Sequence, residues 1–192
     1  GFVVNFREVE KVGPKVSNEL LSAGLLAISL SLAAMLFYIW IRFEWQFSLG
    51  AIIALIHDVI ITVGIFSFLA YEVNLSIVAA VLTIVGYSMN DTVVIFDRIR
   101  ENLKKYSKIS ITEISDLSTN QTLSRTLITS VTTLLALFSI YIFGGAILKG
   151  FSFAMIIGVI VGTYSSIFVA TPILNYTNVN QKTVLKGDTE NN

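Results

Sequence analysis

Three ionisable residues stand inside long stretches that otherwise carry almost no charge: Asp58, Asp91 and Arg125. A charged side chain at the centre of a membrane-spanning helix costs about 2.5 to 3.5 kcal/mol on insertion scales, so each of them is a functional candidate. Asp91 and Arg125 are chemically unequal. A carboxyl group in apolar surroundings can hold a proton near neutrality, whereas a guanidinium stays charged. An arginine close to an acid also opposes its protonation, so the state of Asp91 would follow its distance from Arg125. Movement and protonation are then coupled, as a proton-driven machine requires. The plainer reading is a static ion pair that lowers the desolvation cost of both groups. Asp58 has His57 as its neighbour, and its plainer reading is a carboxyl hydrogen-bonded to a nearby Ser, Thr or Tyr. No HExxH pattern, second histidine or cysteine accompanies His57, so the pattern offers no metal site, and no cofactor is expected. Ser88, Asn90 and Thr92 surround Asp91, and Thr126, Thr129 and Ser130 follow Arg125. Such hydroxyls and amides can hold water beside a charge, although in membrane helices they also bond their own backbone.

The elements that must carry these residues follow from composition. The 192 residues are 54% hydrophobic and 14% charged, with mean hydropathy +0.76, where ordinary soluble domains carry about 25% charged residues. A bilayer core requires about 20 apolar residues at 1.5 Å rise, and five segments meet that length: 20–41, 46–71, 75–96, 120–143 and 150–174. The reading is therefore an all-α, polytopic bundle of five transmembrane helices spanning 20–174. Residues 97–119 form a loop, 175–192 a tail, and 1–19 the end of a small α+β domain lying further upstream. Alternation in Val3 to Phe6 suggests the last strand of that domain, with Gly13-Pro14 as the turn into the first helix. Zero net charge gives no field to recruit nucleic acid, and the absence of cysteine excludes disulfides and thiolate chemistry.

Eight Lys and Arg residues lie on the side of the 97–119 loop and the tail, and four on the other side. The positive-inside rule then makes the loop and the C-terminus cytoplasmic and residue 1 external. Ile95, Ile99, Leu103 and Tyr106 extend the third helix past the bilayer as an amphipathic segment. Ser110 and Glu113 resemble a capping box, opening a second short helix along the lipid surface. Asp91 lies five residues before Phe96, and Arg125 five residues after Asn120. On adjacent antiparallel helices that places both about 7.5 Å inside, at one depth, where they can pair. Asp58 falls about 10 Å deeper than Asp91 by the same counting. An intramembrane aspartyl protease, whose two acids must nearly touch, is therefore a poor reading. Gly158 and Gly162 form a GxxxG spacing that permits close helix contact.

Longer motifs carry a resemblance. The run Gly86-Tyr87-Ser88-Met89-Asn90-Asp91-Thr92-Val93-Val94-Ile95-Phe96-Asp97-Arg98-Ile99-Arg100-Glu101-Asn102 closely resembles the SecF family, the membrane subunits of bacterial SecDF protein-export complexes in the resistance-nodulation-division superfamily. Val12-Gly13-Pro14, Arg42-Phe43-Glu44-Trp45, Ala54 to Thr62 and Gln121-Thr122-Leu123-Ser124-Arg125-Thr126 agree as well. The resemblance implies family spans two to six, preceded by a periplasmic domain, in the inner (plasma) membrane. It also implies a pseudo-symmetric SecD partner, the SecYEG channel, YajC as a candidate neighbour, and unfolded preprotein as the exported cargo. It implies no enzyme, and a proton pathway in which Asp91 and Arg125 match the family's acid and arginine and Asp58 a recurrent aspartate. Ser88, Asn90, Thr92 and Thr129 would form the supporting polar shell. A proton-driven efflux transporter of the same superfamily is the alternative, because a fold does not fix its substrate.

Overall fold

The computed structural model describes residues 14–70, 75–106, 108–177 and 179–190. The expected strand at Val3 to Phe6 and Gly13 lie outside the described residues. Helix α1 runs Pro14–Arg42, α2 Trp45–Phe68, α3 Leu75–Lys105, α4 Ile111–Phe143 and α5 Gly145–Ser165. A π-helical turn, Ser166–Ala170, joins α5 to α6, Thr171–Tyr176, and α7 spans Gln181–Glu190. Every described element is helical, and a helix satisfies its backbone polar groups within itself where lipid offers no partner. Five of the helical stretches are long and apolar enough to cross a membrane.

Local chemistry sets the helix ends. Proline is tolerated at the first position of α1 because that position has no intrahelical donor to lose. The Ser110 hydroxyl accepts from the Glu113 backbone N–H while the Glu113 carboxylate accepts from the Ser110 N–H, closing a capping box. The helix it opens is continuous with the fourth span, however, so the separate surface helix expected after Ser110 is replaced by a single 33-residue helix. Nothing between Ile111 and Phe143 breaks it, because neither glycine nor proline occurs there. Similarly, α5 starts at Gly145 instead of residue 150; φ of +74° at Gly145 makes the reversal with no Cβ to clash. The π turn also has a local cause. Pro172 has no N–H to return to the Phe168 carbonyl, and the Thr171 hydroxyl donates to the Ser166 carbonyl at 2.9 Å.

Helices α3 and α5 pack along each other and carry the deepest burial, with α2 and α4 on either side and α1 against α2 and α3. Glycine permits the close approach of α3 and α5. A Cβ on Gly158 would overlap the Ile84 side chain, and one on Gly162 would stand 3.0 Å from the Ser88 Cβ. One apolar cluster, with Phe47, Phe96, Ile99, Ile114 and Leu174, fills the loop-side end; Phe47 and Phe96 meet edge-to-face at 5.3 Å. A second, with Phe66, Ala80, Ile84, Leu137 and Val159, fills the other end. Leu30, Phe37, Trp40, Ile60, Ile128, Leu135 and Phe143 are exposed around the outside, which is the distribution expected where lipid is the solvent. The tail is helical in part. Val184 of α7 is fully buried, and the Gln181 amide donates to the Lys104 carbonyl, tying the tail to the end of α3.

Candidate functional site

Of the three ionisable residues, Asp58 and Asp91 are buried in neighbouring layers of the bundle and Arg125 is exposed. Asp58 on α2 is fully buried where α2, α3 and α5 meet. Its Oδ2 accepts from the Ser88 hydroxyl of α3 and, at 2.7 Å, from the Ser165 hydroxyl of α5. Its Oδ1 stands 2.9 Å from the His57 Nδ1, so a proton on that nitrogen completes the set. Three elements are thus tied to one carboxyl. Among the candidates for the supporting shell, Ser88 serves Asp58, and Thr92 returns its hydroxyl to the Ser88 carbonyl.

Asp91 lies one turn further along α3, three residues past Ser88. It is 4% exposed, and its Oδ2 is buried with no hydrogen-bond partner. Oxygen of a buried carboxyl left unpaired is a costly arrangement that native proteins rarely keep without use. Asn90 beside it points outward and is exposed, whereas Thr92 is buried.

The counting that placed Asp58 about 10 Å deeper than Asp91 is corrected by the packing register. A Cβ on Gly50 would stand 3.3 Å from the Phe96 ring, so Phe96 sits opposite Gly50, four residues into the span, and not opposite Gln46. Ser88 is then level with Asp58, and Asp91 is one turn away, about 4.5 Å along the axis. The two acids share no hydrogen bond, because both Asp58 oxygens are engaged by other groups.

Arg125 also departs from expectation. The Asn102 amide donates to the Ser118 hydroxyl at 2.8 Å and to Gln121 Oε1 at 2.9 Å, and Arg98 Nε donates to the same Gln121 oxygen at 2.6 Å. Carried along antiparallel α3 and α4, that register sets Arg125 level with Val94, about one turn on the loop side of Asp91. Its azimuth differs too. Ser118, Thr122, Thr126 and Ser130 recur every four residues as the buried stripe of α4, and Arg125 lies off that stripe, exposed. Consequently Asp91 and Arg125 form no ion pair. Arg125 instead lines a polar recess of about 320 Å³ with Val94, Asp97, Arg98, Gln121 and Thr122. Thr129 bonds the backbone of its own helix, at the Arg125 and Thr126 carbonyls.

Residues 2–180 match the family model described as protein export membrane protein SecD/SecF, C-terminal. The chain belongs to the SecD/SecF family. It is 51% identical to the protein translocase subunit SecF of Cereibacter sphaeroides over 93% of its length and 55% of that protein. It is 56% identical to the Rickettsia bellii SecF over 88% of its length and 56% of that protein. The chain therefore spans about half the length of the curated relatives it matches. The crystal structure of SecDF from Thermus thermophilus, described as a translocon-associated membrane protein, superposes with a TM-score of 0.83. Sequence identity in that match is 43%, over 88% of this chain and 24% of that one. A SecDF structure in a super-membrane-facing form gives 0.77 at 38% identity, over 93% and 23%. The five-span helical bundle and the multi-pass membrane character are thus those of the SecD/SecF fold.

The loop-side end of this SecD/SecF bundle holds residues that sequence reasoning left as loop or motif. Glu44, at the start of α2, pairs with Arg100 of α3 at 3.0 Å, both largely buried, and Arg42 pairs with Asp97 at 2.8 Å, both 41% exposed. Phe43 lies between the two guanidiniums, 5.0 Å from Arg42 and 5.6 Å from Arg100. The short connection between α1 and α2 is thereby clamped to α3. Ser165 was also missed as a partner of Asp58. Nothing in a linear pattern shows that α5 delivers it to α2.

Proposed function

We propose that this chain is the membrane-embedded part of a protein-export accessory subunit. With a SecD half it uses the proton gradient to assist unfolded preproteins through the SecYEG channel, without enzymatic chemistry of its own. In this reading it lies in the inner membrane with the α3–α4 connection and the C-terminus cytoplasmic. Family membership and the names of the relatives support the export role; the positive charge on the loop side supports the orientation.

The observation that carries the proton role is the Asp91 carboxyl, buried in α3 with an unpartnered oxygen. Arg125 waits one turn away in a polar recess. Protonated, Asp91 is neutral and tolerates its apolar surroundings. Deprotonated, it needs a counter-charge, and the long Arg125 side chain can swing from the recess towards it. Uptake of a proton on one side, release past the arginine on the other, and a change of helix packing between the two states make a cycle. Asp58 enters as the fixed point of that cycle, holding α2 and α5 on α3 while Asp91 titrates.

The test is reconstitution of the full-length subunit with SecD and SecYEG in proteoliposomes, with preprotein uptake measured with and without an imposed proton gradient. Asp91→Asn should remove the stimulation by the gradient and leave uptake without a gradient unchanged. Stimulation equal to wild type in that variant rejects the proton role. Arg125→Lys, which keeps the charge and loses the planar fork, should retain part of the stimulation.

A further inference from the structure

On the face of α4 turned away from α3, a groove of about 680 Å³ runs between α4 and the α5–α6 segment. Its loop-side end carries Ser115, Asp116 and Asn175; further in, Leu123, Leu127 and Phe168 supply an apolar wall beside Thr163 and Tyr164. The polar end falls beside Tyr176, which is 85% exposed and stands where an aromatic ring marks the headgroup layer. From Ser115 to Leu127 the groove extends about 18 Å along the helix axis, close to the length of one acyl chain. The π turn forms part of its wall through Ile167 and Phe168, and the Phe168 ring is exposed.

Two groups at the polar end are unsatisfied within the chain. Ser115 is 3% exposed and its hydroxyl has no hydrogen-bond partner, and Asn175 Oδ1 is likewise buried without one. Asp116 is exposed and is the sole charged residue in the groove lining. All three offer acceptor oxygens. Since no hydrogen bond holds Ser115 or Asn175 in place, a change of rotamer turns either oxygen to a donor seated in the groove. A cationic group with several N–H donors, joined to an apolar chain, would meet all three oxygens at once.

The geometry points to a glycerophospholipid with a primary ammonium headgroup as the occupant of this groove, one acyl chain along Leu123, Leu127 and Phe168 and the ammonium on Asp116, Asn175 and Ser115. An anionic headgroup would meet the Asp116 carboxylate, and a quaternary one would bring no N–H to the orphaned oxygens. The site is separate from the Asp58 and Asp91 layers and stands whether or not the proton role holds.

The test is native mass spectrometry of the full-length subunit with its SecD partner, released from nanodiscs holding equal parts of phosphatidylethanolamine, phosphatidylglycerol and phosphatidylcholine. Wild type should retain one phosphatidylethanolamine at least threefold over either competitor. Asp116→Asn should lower that selectivity to near parity, and Leu127→Trp, which fills the groove from an exposed position, should release the same single lipid. Equal retention of the three lipids, a preference for phosphatidylglycerol, parity of phosphatidylcholine with phosphatidylethanolamine, or retention unaltered in both variants overturns the assignment. The last of these results, and no retention at all, would leave the groove to a partner helix.

Discussion

Asp58 and Asp91 are both buried carboxyls, about one helical turn apart in depth, and the chain treats them in opposite ways. Asp58 is surrounded by donors from three helices: Ser88, Ser165 and the ring of His57. Asp91 has an oxygen with none. A buried acid whose acceptors are filled is fixed in place and fixes its neighbours, because moving it breaks several hydrogen bonds at once. A buried acid with an open oxygen is poorly held, and its energy depends strongly on whether it carries a proton and on where the nearest cation stands. Depth in the membrane therefore does not assign a role to an acid; the satisfaction of its oxygens does. The small residues follow the same division, with Gly158 and Gly162 bringing α5 close enough to deliver Ser165 to Asp58.

The largest effect on stability should come from breaking the filled site. Asp58→Ala strands the Ser88 hydroxyl, leaves Ser165 only the Gly162 carbonyl of its own helix, and opens a cavity, at a cost of about 3 kcal/mol. Asp58→Asn, which keeps an acceptor for the serines, should cost about 1 kcal/mol. Reversible chemical unfolding of the detergent-solubilised protein measures both, and equal stability of wild type and Asp58→Ala would erase the contrast between the two acids. Next in size is Gly158→Val, whose added methyl groups must displace Ile84 across the α3–α5 contact, at about 2 kcal/mol by overpacking. It should also raise hydrogen exchange in α5 near Ser165, an outcome that separates loss of delivery from a local strain at residue 158. Ser165→Ala removes one donor from Asp58 and leaves the Ser88 bond, so about 1 kcal/mol is expected.

Much of this was legible in the sequence, for identifiable reasons. The spans stand out because lipid demands long uncharged runs, and the capping residues Ser110 and Glu113 announced a helix start because that chemistry is local. The candidate acids were legible because a charge in an apolar run is rare. Register was not. Placing Asp91 opposite Arg125 assumed that spans begin level with one another, whereas the Asn102 contacts with Ser118 and Gln121 shift α4 by about a turn, and the buried stripe through Thr122 and Thr126 turns Arg125 away. The Asp58 depth failed for the same reason, since the Gly50 to Phe96 contact sets that pairing. Such offsets arise from side-chain packing between helices, which a count along one strand of sequence does not contain. The Glu44–Arg100 and Arg42–Asp97 pairs were hidden likewise, each joining residues more than 50 positions apart.

The smallest effect on stability is expected at Asp91, and there the comparison is sharpest. Asp91→Asn removes no hydrogen bond from the unpartnered Oδ2, and it replaces an ionisable group by a neutral one of the same shape. Stability should change by no more than about 0.5 kcal/mol, or increase, because the cost of desolvating a carboxylate is gone. The same variant should lose its response to the proton gradient in the reconstituted export assay, while Asp58→Asn should keep a response in proportion to the fraction that remains folded. Loss of stability at Asp91 as large as that at Asp58 would mean that both acids are structural, and would move the titrating group elsewhere. A folded and unresponsive Asp91 variant, beside a weakened and responsive Asp58 variant, assigns the movable proton to the acid whose oxygen was left open.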